Sequence, residues 1–334
     1  MTNCSVPDFF MPLPAEPANP SLDQAATLMW RWIDDFCLCP TELSRLHLQR
    51  TRGELLMALS YPYADVDTLA LLDQWIAWFF VVDDELDDGP CGRDPGRCLT
   101  AVSSLMQTFD GRPDAGILPT ALFDLCGRTL LGRSNGWRES FRRGFTEWLW
   151  TYYAEAVDRA GGRQPASWEY REHRRYSFGV YMSLDFCELA DGIDLPCHVR
   201  HLPSFVSLRN SAINNGSLIN DVFSFDKESA VGYFHNLVAI IQRESRLRRE
   251  EAVETATLMA TEAMERITTA VGELPAQLRA AKVSESTFSD ACRLADCYQT
   301  LVAGNYVYHK EVQRYASSII EDDWASDHVP GLFT

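Results

Sequence analysis

The chain has 334 residues, of which 46% are hydrophobic, so it is long and apolar enough to bury a large core. Its formal net charge of −17 argues against binding nucleic acid or an anionic membrane surface through the overall field. A small anionic ligand is compatible with this charge where local basic residues or metal ions reverse the field.

The cysteines and the N-terminus indicate a cellular compartment. The ten cysteines form no C-x-x-C pair, and the N-terminal residues lack the basic stretch and apolar core of a signal peptide. These features predict free thiols and a cytoplasmic protein. The longest apolar run, around Trp75 to Val82, is too short to span a bilayer, so we expect no membrane insertion.

Along the chain, helical patterning dominates. The proline-rich residues 1–20 predict an extended N-terminal arm. From Ser21 onward, apolar residues recur at three- and four-residue spacing, which is typical of helices. Glycine and proline clusters predict loops at 89–97, 160–167 and 191–204. The sequence therefore predicts an all-α chain of roughly ten or more helices, with no linker that separates two domains.

An acidic cluster ends the most apolar helical segment, with five carboxylates in residues 83–88. On a helix, Asp83 and Asp87 lie one turn apart on one face, so their repulsion must be relieved by bulk water or by a divalent cation. When the acidic cluster is considered by itself, a solvated helix end is enough to explain it. Phe79 and Phe80, however, precede Asp83 by one turn, and aromatic surface beside carboxylates suits an apolar molecule with a metal-bound anionic end.

A second polar row occurs in "NDVFSFDKE" (220–228). Asn220, Ser224 and Glu228 are spaced four residues apart, so their oxygen-bearing side chains share one helix face. Amide, hydroxyl and carboxylate oxygens are hard ligands that suit Mg²⁺ or Mn²⁺. Lys227, beside Glu228, could hold an anion. A solvent-facing polar stripe is the common alternative, and the acidic cluster upstream favours the metal site.

With both segments in view, the sequence resembles the class I terpene synthases, especially the compact single-domain cyclases of bacteria and fungi. "DDELD" (83–87) is similar to the aspartate-rich metal motif of that family, and "NDVFSFDKE" matches the N-D-x-x-S-x-x-K-E form of its second metal motif. Arg314–Tyr315 matches its C-terminal arginine–tyrosine pair. The resemblance implies a helical bundle around a central apolar cavity, with an arm (1–20), a catalytic domain (21–316) and a tail (317–334).

The resemblance also implies ligands for metal and substrate. Three Mg²⁺ ions, with Mn²⁺ as a substitute, are expected on the oxygen-bearing side chains of the two motifs. The implied metal ligands are Asp83, Asp87, Asn220, Ser224 and Glu228. The residues implied in substrate binding are Arg174, Lys227, Arg314, Tyr315, Phe79 and Phe80.

Two of the implied roles belong to the diphosphate-sensing segment. Arg174 lies 46 residues before Asn220, where the family places its sensing arginine, and the neighbouring Arg175 is the alternative. Phe178, four residues after Arg174, would occupy the helix break whose backbone carbonyl pulls on the ionising end of the substrate. Arg174 and Phe178 are therefore the implied catalytic residues.

The chain departs from the family pattern in three places. The acidic cluster also reads as D-D-x-x-x-D through Asp88, so either Asp87 or Asp88 is the second ligand. Tyr308 stands where the family often has tryptophan, and it still offers an aromatic face. The arm lacks an arginine that is often found there, which leaves its role as a lid open.

The resemblance implies ionisation of a linear isoprenoid diphosphate and cyclisation of the carbocation. Farnesyl diphosphate is the expected substrate, because it is the commonest among similar compact cyclases, and geranylgeranyl and geranyl diphosphates stay open. A homodimer is implied by the resemblance alone. The alternatives are a trans-prenyltransferase, which normally has a second aspartate-rich motif, and a non-catalytic isoprenoid-binding helical protein.

Three further patterns carry no functional prediction. The pairs Asp34–Asp35 and Asp322–Asp323 have no matching oxygen row, so both are expected at the surface. The segment "CHVRH" (197–201) is a weak zinc pattern without a second pair of ligands. The charged residues of 243–267 indicate a solvated helix face.

Overall fold

The computed structural model describes residues 7–230, 233–312 and 332–333. Within these ranges the structure has fourteen α-helices, a π-helical turn and a 3₁₀ turn, and it has no β-strand. The predicted all-α fold is therefore confirmed. None of the described helices has the length and apolarity needed to cross a membrane.

The described residues fall into two compact units. The N-terminal unit comprises residues 17–163, 189–194 and 332–333, and the C-terminal unit comprises 7–16, 164–188, 195–230 and 233–312. The boundaries of a catalytic domain at 21–316 stay a prediction.

The N-terminal unit contains α1 (Leu22–Asp35), α2 (Glu42–Thr51), α3 (Gly53–Ser60), α4 (Val66–Asp83), a π-helical turn (Asp84–Asp88), a 3₁₀ turn (Pro90–Arg93), α5 (Pro95–Phe109), α6 (Ile117–Thr129) and α7 (Asn135–Gly161). The C-terminal unit contains α8 (Ser167–Ser177), most of α9 (Val180–Ala190), α10 (Cys197–Arg200), α11 (Pro203–Ala230), α12 (Leu237–Ser245), α13 (Arg249–Ala280) and α14 (Glu285–Glu311).

The predicted loops are shorter in the structure than in the sequence pattern. The 3₁₀ turn and the start of α5 occupy most of 89–97, and α10 lies within 191–204. Proline at the first position of α5 explains why this helix can begin inside the predicted loop, because its missing N–H is tolerated in the first turn of a helix. Asp94 then caps α5 by accepting hydrogen bonds from backbone amides.

Helix α4 forms the core of the N-terminal unit. Asp65 caps its first turn by accepting from the amides of residues 67 and 68. Trp75 and Trp78 are fully buried, and their indole N–H groups donate to Thr129 Oγ1 (2.8 Å) and to the Leu118 carbonyl (3.1 Å). This packing fixes the orientation of α4 and therefore the position of the acidic residues at its C-terminal end.

Helix α11 has the corresponding role in the C-terminal unit. It packs against α13 through a row of buried alanines, at positions 252, 256, 260 and 263, which lets the two backbones approach closely. Asn215 of α11 donates to the Ala260 carbonyl at 3.0 Å. Glu254, Glu262 and Glu265 of α13 are exposed, so this helix is solvated on the side away from the alanine row.

A buried ionic cluster fixes α9 against its neighbours. Arg209 Nη1 lies 3.0 Å from Asp185 Oδ1 and 2.9 Å from the Tyr298 hydroxyl, while Arg200 Nη2 lies 2.6 Å from Glu188 Oε2. Burial raises the pKa of Glu188 to about 7, and Arg200 opposes this shift. The cluster joins α9, α10, α11 and α14 directly after the helix break at Phe178.

Residues 7–20, the described part of the predicted arm, form no helix or strand, and Phe9 among them is tightly packed. Phe9 is buried in the core of the C-terminal unit, where it lies 6.2 Å from Phe223 and 5.9 Å from Tyr306, measured between ring centroids. The Phe9 amide donates to the Tyr306 hydroxyl at 3.2 Å.

Asp73 of α4 is fully buried, and neither carboxylate oxygen has a hydrogen-bond partner among the described residues. Burial, together with the nearby Glu54, raises its pKa to about 8. Because the folded protein holds this proton between pH 4 and pH 8 while the unfolded chain releases it, the free energy of unfolding should fall as the pH rises through that window. The loss approaches about 1.4 kcal/mol per pH unit.

We therefore expect Asp73→Asn to raise the melting temperature relative to the unmodified protein at pH 8, with a gain that shrinks towards pH 5. Asp35→Asn, at the exposed end of α1, is the control, and its difference should be the same at each pH. Thermal unfolding followed by circular dichroism measures both. An equal gain for Asp73→Asn at pH 5 and pH 8 would contradict a buried ionisable group.

Candidate active site

The acidic cluster does not continue as the plain α-helix that the sequence predicts. Helix α4 ends at Asp83, and residues Asp84–Asp88 form a π-helical turn closed by a 2.9 Å bond from the Gly89 amide to the Asp84 carbonyl. The α-helical spacing assumed for Asp83 and Asp87 was therefore wrong in detail. The wider turn spreads the carboxylates over partners from different helices.

Residues 83–88, the end of α4 and the π-helical turn, are called the acidic turn below. Three of its carboxylates have a partner within the N-terminal unit. The Tyr152 hydroxyl donates to Asp83 Oδ1 (2.8 Å), and His47 Nε2 lies 3.1 Å from Asp84 Oδ2. Arg159 Nη2 donates to Asp87 Oδ1 (2.9 Å). These contacts hold the three carboxylates in place, and the Arg159 guanidinium offsets part of their negative charge.

Exposure separates the carboxylates into two groups. Asp84 and Glu85 are buried, whereas Asp83 and Asp87 are partly exposed. The two expected metal ligands are thus the more accessible ones. Burial, followed by the charge of Asp83, raises the pKa of Tyr152 well above its usual range, so this phenol stays a proton donor. The side chain of Asp88 lies outside the described part of the chain, and the choice between Asp87 and Asp88 stays a prediction.

Phe79 and Phe80 occupy different environments on the last turns of α4. Phe79 belongs to the aromatic cluster, 5.0 Å from Trp148 and 5.3 Å from Trp75 between ring centroids. Phe80 packs towards α3, where a Cβ added to Gly53 would lie 3.1 Å from its ring. Both rings are partly exposed, as required of residues that contact a ligand.

In the C-terminal unit, Asn220 lies between an arginine and a histidine. Arg174 Nη2 donates to Asn220 Oδ1 at 2.8 Å, and Asn220 Nδ2 lies 3.1 Å from His309 Nε2. His309 Nδ1 lies 2.7 Å from the Asn305 carbonyl, so it carries the proton and leaves Nε2 to accept from the amide. These contacts fix which end of the Asn220 amide presents oxygen.

Asn236, which precedes α12, connects the other two members of the row. Its Nδ2 lies 2.8 Å from Glu228 Oε2, 3.5 Å from Ser224 Oγ and 2.7 Å from the Asp221 carbonyl. Its Oδ1 caps α12 by accepting from the Val238 amide. Burial and the nearby Asp221 raise the pKa of Glu228 to about 7, which suits a carboxylate whose charge a cation would stabilise.

Asp221 is hydrogen-bonded to residues that surround the polar row on α11. It is buried and accepts hydrogen bonds from Arg174 Nε (3.0 Å), the Tyr170 hydroxyl (3.0 Å) and the Leu237 amide (3.0 Å). Burial raises the pKa of Asp221, and Arg174 opposes that shift. For Arg174, burial alone would lower the pKa, but attraction to Asp221 and other anionic groups raises it well above its usual range.

The helix break expected at Phe178 is present. Helix α8 ends at Ser177 and α9 begins at Val180, and Gly179 between them has a φ of +73°, which favours glycine. The Phe178 ring lies under the Arg174 guanidinium, 5.1 Å from its centre, and packs against Gly216 of α11. Of the two adjacent arginines, Arg174 contacts Asn220, whereas Arg175 pairs with Glu172 and Asn214.

The remaining sequence candidates are distributed as follows. Lys227 is partly exposed in the last turn of α11, and Tyr308 is buried on α14 against His309. Arg314 and Tyr315 lie outside the described residues. Asp34 is exposed and pairs with Arg45, as expected of a surface residue.

Two other sequence predictions concern cysteine. His201 Nδ1 lies 2.7 Å from the Cys197 carbonyl and 3.5 Å from the Cys197 sulfur, which are contacts within one helical turn. The nine cysteines of the described residues are all free thiols, as predicted.

The oxygen donors fit a hard divalent cation. Within the described ranges, no three His, Cys, Asp or Glu side chains converge closely enough to hold a metal by themselves. The row on α11, however, combines the amide of Asn220 with a hydroxyl and a carboxylate that Asn236 already joins, and the acidic turn presents two partly exposed carboxylates. This is the donor chemistry of Mg²⁺ and Mn²⁺ and not that of zinc.

Sequence reasoning missed four residues that organise these segments, namely Tyr152, Arg159, Asn236 and His309. Tyr152 and Arg159 are seven residues apart, so they share one face of α7, but this spacing alone does not identify a partner. Asn236 was detectable only as a helix cap before an apolar run.

Two glycines let the backbone approach the acidic turn. A Cβ added at Gly92 would lie 2.0 Å from the Asp87 carbonyl oxygen, and one at Gly89 would lie 2.5 Å from that of Glu85. The 3₁₀ turn therefore packs directly on the acidic turn, and only glycine fits there.

We expect Gly92→Ala to displace the acidic turn, lowering both the melting temperature and turnover. Gly127→Ala is the matched control, because its Cβ would meet no atom within 4 Å on an exposed face of α6. That variant should be unchanged or more stable by about 1 kcal/mol. Thermal unfolding and product formation test both variants, and equal behaviour of the two would contradict the packing described.

Comparison with known proteins identifies the family. Residues 74–266 match the family model described as terpene synthase family 2, C-terminal metal binding. The chain is 36% identical to a (2Z,6E)-hedycaryol synthase of Kitasatospora setae over 319 residues, covering 95% of this chain and 94% of that protein. It is also 36% identical to a (+)-T-muurolol synthase of Roseiflexus castenholzii over 242 residues, covering 70% and 72% of the two chains.

Solved structures agree with these relatives. A hedycaryol synthase in complex with nerolidol superposes with a TM-score of 0.82 at 31% identity, covering 91% of this chain and all of that one. The germacradien-4-ol synthase of Streptomyces citricolor also gives a TM-score of 0.82, at 26% identity, over 92% and 99% of the two chains. The chain belongs to the class I terpene synthase family.

Proposed function

We propose that this terpene synthase ionises farnesyl diphosphate and cyclises the resulting carbocation to a sesquiterpene hydrocarbon or alcohol, with release of diphosphate. The observation that carries the proposal is the hydrogen-bonded set on α11. Arg174 contacts Asn220, and Asn236 joins Ser224 to Glu228. An arginine in direct contact with an oxygen row is suited to bind metal ions and an anion together.

We assign the metal ligands as the resemblance implied. Asp83 and Asp87 would hold divalent ions through the acidic turn, and Asn220, Ser224 and Glu228 through α11. Bound divalent cations neutralise the charge of the diphosphate and make it a better leaving group. We propose three Mg²⁺ ions, which Mn²⁺ can replace.

The protein's own groups would bind and orient the diphosphate. Arg174 would exchange part of its contact with Asn220 and Asp221 for the diphosphate oxygens, and Lys227 and Arg314 would add charge-assisted hydrogen bonds. Tyr315 would add a hydroxyl donor. The Phe178 carbonyl, at the break between α8 and α9, would direct its dipole at the ionising carbon.

Once the leaving group departs, the carbocation needs a dry environment and groups that stabilise it without reacting with it. The partly exposed rings of Phe79 and Phe80 offer π faces for this purpose, with Tyr308 as a weaker contributor. The final proton would pass to the released diphosphate, so the proposal requires no separate general base.

The fifteen-carbon substrate is inferred from relatives. The T-muurolol synthase is described as (2E,6E)-farnesyl diphosphate cyclizing, and other relatives form hedycaryol and δ-cadinene. The proposal further includes a cytoplasmic location, a homodimer, and a catalytic domain at 21–316 between an arm and a tail.

The direct test is incubation of the purified protein with Mg²⁺ and either geranyl, farnesyl or geranylgeranyl diphosphate, with and without isopentenyl diphosphate. Gas chromatography–mass spectrometry of organic extracts identifies the products, and EDTA controls report metal dependence. We expect a cyclic sesquiterpene from farnesyl diphosphate that is absent with EDTA.

Each of the other outcomes would indicate a different function. A cyclic product from geranylgeranyl diphosphate alone would indicate a diterpene cyclase. Longer prenyl diphosphates, formed only with isopentenyl diphosphate, would indicate a prenyltransferase. No turnover of any substrate, despite binding, would indicate a non-catalytic isoprenoid-binding protein.

Site-directed variants test the residue assignments. Asn220→Leu and Asp83→Ala each remove an oxygen donor, so both should lower turnover by at least about 100-fold while circular dichroism stays helical. Asp34→Ala removes an exposed carboxylate on α1 that pairs only with Arg45 among the contacts described, and it should keep full turnover. Similar activity in all three variants would contradict the assignment of the metal ligands.

A further inference from the structure

We propose that Arg159 is a positioning residue that holds the acidic turn in its metal-binding conformation before any cation arrives. The inference rests on the proposed function, because it assigns Asp87 to a cation. It concerns a residue of α7 that does not belong to either metal motif.

The first support is the way Arg159 bridges two separate parts of the turn. Its Nη2 donates to Asp87 Oδ1 at 2.9 Å, while its Nε donates to the Gly92 carbonyl at 2.8 Å. One guanidinium thus joins the acidic π-helical turn to the 3₁₀ turn that follows. Only a planar group with several fixed donors can make both bonds together.

The second support is the burial of the Arg159 side chain on α7. Its side chain is only 14% exposed, and Nη1 lies 3.7 Å from Glu155 Oε2, one turn earlier on α7. Tyr152 lies on the same face of α7 and holds Asp83. Helix α7 therefore contacts the first and the last carboxylate of the D-D-x-x-D pattern from one side.

The third support is the charge balance. Five carboxylates within residues 83–88 repel each other, so a fixed positive charge beside them favours the folded turn in the absence of metal. Arg159 supplies that charge through one oxygen of Asp87. We infer that it acts by holding this carboxylate in place, and not by competing with the metal ion for it.

The test uses three variants of the full-length protein. Arg159→Met removes the guanidinium, and Arg159→Lys keeps the charge but cannot make both hydrogen bonds. Arg163→Met is the matched control, because it removes the same charge four residues later from a half-exposed arginine whose partner is Asp158. Circular dichroism confirms that each variant is folded.

Two properties are measured for each variant. Binding of Mn²⁺ in the presence of inorganic diphosphate is measured by electron paramagnetic resonance of the free ion, which needs no turnover. The Mg²⁺ concentration for half-maximal activity and the kcat at saturating Mg²⁺ are then measured with farnesyl diphosphate.

We expect Arg159→Met to weaken Mn²⁺ binding and to raise the half-maximal Mg²⁺ concentration by about tenfold, the effect typical of lost support behind a metal ligand. Its kcat should recover substantially at high Mg²⁺, because the ligand itself remains. Arg159→Lys should give an intermediate loss, and Arg163→Met should match the unmodified protein.

Three results would overturn the inference. Unchanged Mn²⁺ binding in Arg159→Met would show that the turn is held without this residue. Tighter binding would make Arg159 a competitor of the cation. If Arg159→Met does not fold, full retention of Mn²⁺ affinity by Arg159→Lys would also contradict the requirement for two bonds.

Failure of the proposed function is distinguishable from these results. In that case the unmodified protein itself would form no product from farnesyl diphosphate and would bind no Mn²⁺ with inorganic diphosphate, and the inference would fall with it. Normal turnover by the unmodified protein together with an unaffected Arg159→Met would overturn the inference alone.

Discussion

Mutual repulsion among the carboxylates of residues 83–88 is the constraint on which the N-terminal unit is organised. The apolar helix α4 delivers these groups to one place, and burial of Asp84 and Glu85 increases the cost of their charge. Compensation comes from two helices, since α2 supplies His47 and α7 supplies Tyr152 and Arg159. The packing of α2 and α7 against the end of α4 is therefore also an electrostatic requirement.

In the C-terminal unit, the buried carboxylate beside the polar row is stabilised by neutral hydrogen-bond donors and by one arginine. The buried carboxylate of Asp221 accepts hydrogen bonds from α8, through Tyr170 and Arg174, and from the backbone at the start of α12. Asn236 reaches from the same helix start to Glu228. The polar row on α11 is thus oriented by elements on both sides of it, which limits how far its side chains can move in the absence of a ligand.

The sequence was sufficient for the fold class, the family and the position of both motifs along the chain, because each depends on periodicity or on fixed local spacing. Asn220, Ser224 and Glu228 share a helix face wherever that helix lies. The change to a π-helical turn at Asp84 was not predictable, because the turn is held by contacts with Arg159, which lies 72 residues after Asp87 in the chain. Tyr152, Asn236 and His309 were missed because their partners lie 69, 8 and 89 residues away and no local pattern links them.

The buried contact between Phe9 and the pair Phe223 and Tyr306 has a consequence for how the chain reaches its native state. The hydrogen bond from the Phe9 amide to Tyr306 spans 297 residues. A ribosome makes Phe9 before α11 and α14, so the surfaces that bury Phe9 are absent until both helices have been made. An early segment of the chain is therefore placed late, because Phe9 can enter the core only after its partners on those two helices are available.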